Sequence, residues 1–432
     1  MIRPAGSVFL VLLAIGALLG TMAGPVAAQK QEVVSVARIA GDNRFLTAIG
    51  IAQYAFAEAT HVVLAAGDDP ATMLLATHHA GRTHDPLLLT DGRRVPAEVL
   101  DEMERLGVQR VTVVGGPNQV GESVLDQLER LGLQTVRVHD QDLPGTATLL
   151  ADAALEDGDR PEIMVLIGLD PASPELGWQY GLLGASLAGA LDVPLLVARP
   201  DALPAATRTI LEDHPPERVV VVGDTSTVDG DVTRQVQSLA IPLDRISGQT
   251  IVEASVEAAL SMQRFAPSAP SGSVGTVFVT GRGLYPDAIP AAAAQAAVGG
   301  MLLLIDRQDD EFNAPVRALL STTELDQMIV VGGFGGVSRR TAVGLSRTVH
   351  GSLLVTKAAP PPSRTSGGDT VLVVVGLGAL LLSERRRDRG PAAEQHESAD
   401  DLQSAQHEEG SDGHHEPGRP RLPHEERATA VE

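Results

Sequence analysis

From Val33 onward, short runs of branched aliphatic residues alternate with longer stretches whose apolar positions recur every three or four residues. EVVSVARIAG predicts an extended segment, and RFLTAIGIAQYAFAE has helical spacing. THVVLAAG is extended again and ATMLLATHHAG helical. The alternation continues through PLLLTD, VPAEVLDEMERLG, RVTVVGG, ESVLDQLERLG and TVRV. The strand-like runs are continuously apolar, so both of their faces must be covered, as in a parallel sheet between two helix layers. Connections in such a sheet are right-handed, and ligands sit beyond the carboxyl ends of its strands.

This unit occurs three times. Val111-Thr112-Val113-Val114-Gly115-Gly116 returns as Val219-Val220-Val221-Val222-Gly223-Asp224 and as Met328-Ile329-Val330-Val331-Gly332-Gly333. The steps between the equivalent glycines are 108 and 109 residues. An apolar strand precedes each: Pro86–Asp91, Pro194–Val197 and Leu302–Asp306. A basic residue opens each copy, in Arg38-Ile39, Arg137-Val138 and Arg245-Ile246. The expected architecture is α/β: three tandem doubly wound parallel-sheet domains over 33–138, 139–246 and 247–349.

The stretch VTVVGGPNQVGES (Val111–Ser123) is one residue away from the phosphate-cradling pattern GxxxxGK[ST]. Glu122 stands where the lysine belongs, placing a carboxylate against any triphosphate. As an acidic first-turn residue it satisfies the helix dipole itself. The stretch therefore predicts a strand-to-helix turn, without a nucleotide.

The ends of the chain read differently. Arg3, the apolar run VFLVLLAIGALLG and Pro25-Val26-Ala27-Ala28 form a secretory signal peptide over 1–28, cut after Ala28, with an uncleaved anchor as the alternative. Pro360-Pro361-Pro362 lies in a stiff linker, 358–369. Val371–Leu382 is apolar and followed by Arg385-Arg386-Arg387, the flank of a membrane anchor over 370–383. Twelve residues of helix reach only about 18 Å against a hydrocarbon core of about 30 Å. Residues 384–432 are acidic and poor in large apolar side chains, as in a disordered tail. Its five histidines have no metal-ligand spacing.

Composition narrows the function. Only 3% of the residues are aromatic, so cores must be built from small aliphatics. The net charge of −22, of which −6 lies from Glu384 onward, argues against nucleic acid as a partner. The absence of cysteine excludes disulfides, thiolate metal sites and a cysteine nucleophile.

Arg38-Ile39-Ala40-Gly41-Asp42-Asn43-Arg44-Phe45-Leu46-Thr47-Ala48 resembles the opening signature of the bacterial cell-wall-binding repeat 2 family. Gly281 with Tyr285-Pro286-Asp287-Ala288 resembles its second element, and Val113–Gly116 with Val120 and Ser123 its last. The resemblance spans Val33 to Val349 and is weakest in copy two. It implies three copies in a pseudo-threefold arrangement. It also implies a surface protein held non-covalently on an anionic glycopolymer, a cell-wall polysaccharide or teichoic-acid-like chain. Arg44 has no arginine counterpart, its positions in copies two and three holding Leu143 and Ile251. Asp69-Pro70-Ala71-Thr72 and Pro171-Ala172-Ser173-Pro174 replace the Pro-Asp-Ala segment in copies one and two.

Seven residues are candidates for ligand contact: Arg38, Arg44, Gly115, Gly116, Asp287, Gly332 and Gly333. Arg38 and Arg44 suit a phosphate or carboxylate of the polymer, or an ion pair with Asp42 or a neighbouring copy. Asp287 suits sugar hydroxyls, or the cap of the alanine-rich helix after it. The glycine pairs let backbone approach backbone or ligand. His78, His79, His84 and Asp85 lie close in sequence, but no GxSxG or HExxH pattern accompanies them. The sequence reading is a non-catalytic binding protein without cofactor or metal.

Overall fold

The computed structural model describes residues 34–155, 160–170, 177–265, 273–350 and 352–355. The signal peptide, linker, anchor and tail expected at the two ends lie outside them. Among the described residues no helix is long and apolar enough to cross a membrane.

Copy one contributes β1 (Ser35–Ile39), α1 (Arg44–Ala55), β2 (His61–Ala66), α2 (Pro70–Thr83), β3 (Leu87–Thr90), α3 (Ala97–Leu106), β4 (Arg110–Val114), α4 (Glu122–Arg130) and β5 (Gln134–Val138). Copy two adds α5 (Leu143–Asp152), β6 (Ile163–Gly168), α6 (Trp178–Leu191), β7 (Leu195–Ala198), α7 (Ala205–Asp213), β8 (Arg218–Val222), α8 (Gly230–Gln237) and β9 (Leu243–Ile246). Copy three runs α9 (Ile251–Phe265), β10 (Ser273–Gly281), α10 (Tyr285–Val298), β11 (Met301–Ile305), α11 (Ala314–Thr322), β12 (Glu324–Val331) and α12 (Arg339–Thr348), followed by β13 (Ser352–Val355). The turn expected at Val111–Ser123 joins β4 to α4, with Glu122 in the helix's first turn.

Three parallel sheets result, ordered β3-β2-β4-β5, β7-β6-β8-β9 and β11-β10-β12-β1-β13. The repeat along the chain and the sheet in space are offset by one strand. β1 opens copy one in sequence yet pairs with β12, Arg38 opposite Val330 and Ile39 opposite Val331. It takes the place beside β12 that β5 takes beside β4 and β9 beside β8. The strand beside β12, β4 or β8 leads in each case into a helix of the next sheet: β1 into α1, which packs on β3, β5 into α5 on β7, and β9 into α9 on β11. β1 thus closes the cycle by joining the first copy to the last. Each of these crossings starts with an N-cap: Asn43 accepts from the Leu46 amide, Asp142 from that of Gly145, and Thr250 from that of Glu253.

Alternating strand residues face two different cores. In β2, Val63 and Ala65 point into a central core shared by all three copies, and Val62, Leu64 and Ala66 into a peripheral one. Copies two and three have peripheral cores of their own. The central core holds α2, α6 and α10, which pack against one another. Each is a helix of 14 residues between its two caps, Asp69 and His84, Gly177 and Asp192, and Leu284 and Gly299. Three residues before each C-cap stand Gly81, Gly189 and Ala296. A Cβ on Gly81 would lie 3.3 Å from the Gly189 Cα and 3.4 Å from the Ala296 Cβ. Equivalent positions meeting at one point carry the pseudo-threefold arrangement. The small residues there let the helices close to this distance, and the low aromatic content follows from it.

Candidate functional site

In a sheet of this order, the direction in which successive strands are added across the sheet reverses between the parallel neighbours β2 and β4, and likewise between β6 and β8 and between β10 and β12. Ligand crevices of doubly wound sheets form at the carboxyl ends of such neighbours. In copy three that crevice lies between the N-terminus of α10 and the turn that follows β12.

Five of the candidate residues converge there. Arg38, at the end of β1 and 1% exposed, directs Nη1 to the Gly332 carbonyl at 2.5 Å and Nη2 to that of Val337 at 2.9 Å. Its guanidinium also lies 4.7 Å from the Phe334 ring centroid. The Gly332 amide donates to Ile39 O at 2.9 Å, so β1 holds the turn at two points. Asp287, in the first turn of α10, lies so near that a Cβ on Gly332 would stand 2.8 Å from its Oδ2. Burial pushes the Asp287 carboxyl above the usual carboxylate range, opposed by a hydrogen bond from Thr47 and by the charge of Arg44. Arg44, at the start of α1, donates to the Gly67 carbonyl just beyond β2. Copy one thus supplies Arg44 and Thr47, and copy three Asp287 and Gly332. Gly333 follows in the same turn, with open space around its Cα.

Gly115 and Gly116 form the corresponding turn of copy one and lie apart from this cluster. Arg137 clamps the Gly115 carbonyl at 2.7 Å, and in copy two Arg245 clamps that of Gly223 at 2.6 Å. The basic residue opening each copy is therefore a backbone clamp in all three. For Arg38 it is backbone carbonyls of another copy, across 294 residues of chain, that receive its donors. Asp287 is not the cap of its helix, since Leu284 occupies the N-cap position of α10. Counting from the caps, Thr72 and Tyr180 hold the positions equivalent to Asp287. Pro171–Pro174 lies outside the described residues.

Positive φ falls on the first glycine of each pair, at 124° for Gly115 and 99° for Gly332. Gly332→Ala should accordingly cost about 2–4 kcal/mol, through left-handed backbone and contact with Asp287. Gly333→Ala should cost less than about 1 kcal/mol. Urea denaturation of the two variants measures the difference, and equal costs would contradict this geometry.

Sequence reasoning did not single out Thr47. Its signal was present, because Thr146 occupies the same place in copy two. The Gly41 amide donates to Thr47 Oγ1 at 3.1 Å, as the Asp140 amide does to Thr146 Oγ1 at 3.0 Å. Another polar network lies at the amino ends of the strands, where His61 joins Asp85 Oδ2 at 2.7 Å to Thr112 Oγ1 at 2.9 Å. It is on the side of the sheet away from the crevice. Among the described residues no group of three or more His, Cys, Asp or Glu could hold a metal.

A ring of three α/β repeats, each with a clamped glycine turn at its switch point, defines the class of this protein. Two stretches of the chain, residues 38–125 and 245–342, match the model of the family Cell wall binding domain 2 (CWB2). Each matched stretch begins on a clamping arginine, Arg38 or Arg245, and together they take in most of copies one and three. The N-acetylmuramoyl-L-alanine amidase LytC of Bacillus subtilis (strain 168) is 24% identical over 320 residues, 74% of this chain and 60% of the amidase. The chain therefore spans less than two thirds of that relative. Among solved structures, Cwp6 from Clostridium difficile matches with a TM-score of 0.65 and 20% identity, over 74% of this chain and 49% of Cwp6. Cwp8 from Clostridium difficile matches at 0.61 and 18%, over 73% and 52% of the respective chains. These two likenesses bear on the fold.

Proposed function

We propose that this chain is an exported, non-catalytic cell-envelope protein that binds an anionic cell-wall glycopolymer through its ring of repeats. The observation that carries this reading is the double match to a cell-wall-binding family on a threefold scaffold whose turns gather at strand carboxyl ends. In it, Arg44 and Asp287 offer the polymer a charged, hydrogen-bonding edge. Arg38, Gly115, Gly116, Gly332 and Gly333 give the turns the shape that presents it. Membership of the amidase class is not part of the reading, because the match extends over only part of that enzyme. Cosedimentation with purified cell walls tests the proposal. The chain should pellet with the walls and be displaced by soluble polymer released from them, and pelleting that excess polymer leaves unchanged would contradict it.

A second reading is an exported scaffold or solute-binding protein that keeps the fold without polymer affinity. It is favoured by one observation, the filling of the copy-three crevice by the chain's own Asp287. Failure to pellet with any wall preparation selects it.

We further propose that 370–383 is a membrane anchor preceding a cytoplasmic tail, supported by the apolar run Val371–Leu382 and the arginines after it. A chain ending before Thr370 should leave the membrane fraction. Unchanged membrane retention would show that the run is no anchor.

A further inference from the structure

The geometry points to one corner of copy three as the surface that engages an acidic sugar chain: Phe334, Arg307, Arg339 and Arg340. This inference rests on the wall-binding reading and says which of the three copies makes the charged contact.

The first observation is charge: Arg93, Arg110, Arg130, Arg160, Arg199 and Arg347 are also exposed without an ion pair among the described residues, but this corner gathers three such arginines around one turn and the helix after it. Among the described residues of this acidic chain, ten arginines stand in ion pairs with Asp or Glu. Arg307, Arg339 and Arg340 are exposed and, among the described residues, have no carboxylate partner. They are held together by the backbone. The Arg307 carbonyl accepts from the Ser338 amide at 3.4 Å and from Thr341 Oγ1 at 2.6 Å, which seats the Arg307 loop on the start of α12. Arg307 Nε in turn donates to Phe334 O at 3.3 Å.

The other two copies differ at the same place. Seven residues after the turn glycine, copy one has Glu122 and copy three Arg339. The first turns of α4 and α8 hold the acids Glu122 and Asp231, and that of α12 holds none. Cations at a helix N-terminus are unfavourable. Copy three accepts that cost in adjacent arginines, and a bound anion would relieve it.

The aromatic residue is the second, independent observation. Phe334 is 50% exposed in a chain with only seven phenylalanines. Its ring lies over the buried Arg38 guanidinium, which fixes it in place. Pro117 and Thr225 hold the equivalent positions in copies one and two. An exposed, fixed ring beside unpaired guanidinium groups suits a saccharide: the ring packs on the C–H face of a sugar, and the arginines take its phosphate or carboxylate. The fit is to an anionic glycan, with charge supplied by either group.

Binding of the full chain to intact walls, and separately to soluble poly(glycerol phosphate) and to a soluble polyuronate, tests the surface. Phe334→Ala and Arg339→Glu/Arg340→Glu should each weaken wall binding at least tenfold, with Phe334→Trp restoring it. The arginine variant should also flatten the salt dependence of binding. Circular dichroism melts of the variants guard against misfolding, since all four side chains lie at the surface. Preference for one soluble polymer identifies the acidic group. If the wild-type chain binds walls and both variants stay within twofold of it, the wall-binding reading stands and this surface is wrong. If the wild type binds no walls, that reading fails. The surface then falls as well unless the wild type binds a soluble polyanion and Arg339→Glu/Arg340→Glu does not.

Discussion

Arg38→Ala should destabilise the folded chain by about 3–5 kcal/mol, more than truncation of any other clamp. The side chain is among the largest fully buried ones, and its loss leaves the carbonyls of Gly332 and Val337 without their charged donor. It also removes a tie between the first strand of the chain and the last sheet, where β1 closes the ring. Arg38→Lys should recover only part of this, because one ammonium replaces a planar fork that serves two carbonyls. Arg137→Ala is the control. Arg137 makes the equivalent bond to Gly115 O at 2.7 Å, but in a half-buried setting and within one copy, so about 1–2 kcal/mol is expected. Urea midpoints of the three variants decide the matter, and equal losses for Arg38→Ala and Arg137→Ala would contradict the closing role of β1.

Acid should weaken the same ring at its centre. His78, on α2, is 1% exposed and bonds through Nε2 to the Val193 carbonyl of copy two at 2.8 Å. The carbonyl requires Nε2 to carry the proton, and Nδ1 is buried without a partner among the described residues. A second proton would find no acceptor. Burial chiefly, with His79 and Arg82 nearby, lowers the His78 pKa from 6.5 to about 3. Burial, Arg82 and His61 lower that of His79 to about 4, with Asp85 opposing. Above pH 6.5 both rings are neutral folded or unfolded, so neither affects stability. As pH falls below 6.5 the unfolded chain takes up protons that the folded chain refuses, and stability declines until the folded values are reached. Each histidine contributes up to about 1.4 kcal/mol per pH unit, or roughly 3–4 kcal/mol for the pair between pH 7 and pH 5. Asp287 has the opposite sign: its raised pKa contributes stability at low pH that is lost as its carboxyl ionises. Melting temperatures from pH 7 to pH 5 should fall in the wild type and fall less in His79→Gln. A flat wild-type profile would contradict the central placement of these rings.

Much of this structure was legible in the chain. Continuous aliphatic runs between amphipathic stretches specified parallel strands covered on both faces, and the spacing of Gly115, Gly223 and Gly332 specified three copies. Glu122 was read as a first-turn acid, and that is where it stands. The partner of β1 was not legible. Nothing in Ser35–Ile39 distinguishes pairing with β12 from pairing inside copy one, because equivalent strands of a repeat are interchangeable locally. Only closure of the whole ring decides between them. The site was legible by residue type and illegible by contact. Arg38 is a repeated basic residue, but its partners are backbone carbonyls, which have no letter in a sequence. Asp287 sits beside an alanine-rich helix and reads as its cap, yet the chain crossing from β1 brings Thr47 and Arg44 to it instead. The glycine pairs were visible, and the division of labour within each pair depended on which residue takes positive φ.

The central claim is that the ring holds the chain on the anionic polymer of a cell wall. Two wall preparations from one culture test it most directly, one intact and one chemically stripped of its anionic polymers. The full chain is sedimented with each at equal peptidoglycan content. Binding to the intact walls and its loss on the stripped ones is the predicted result. Equal retention on stripped walls would place the affinity in peptidoglycan and contradict the claim.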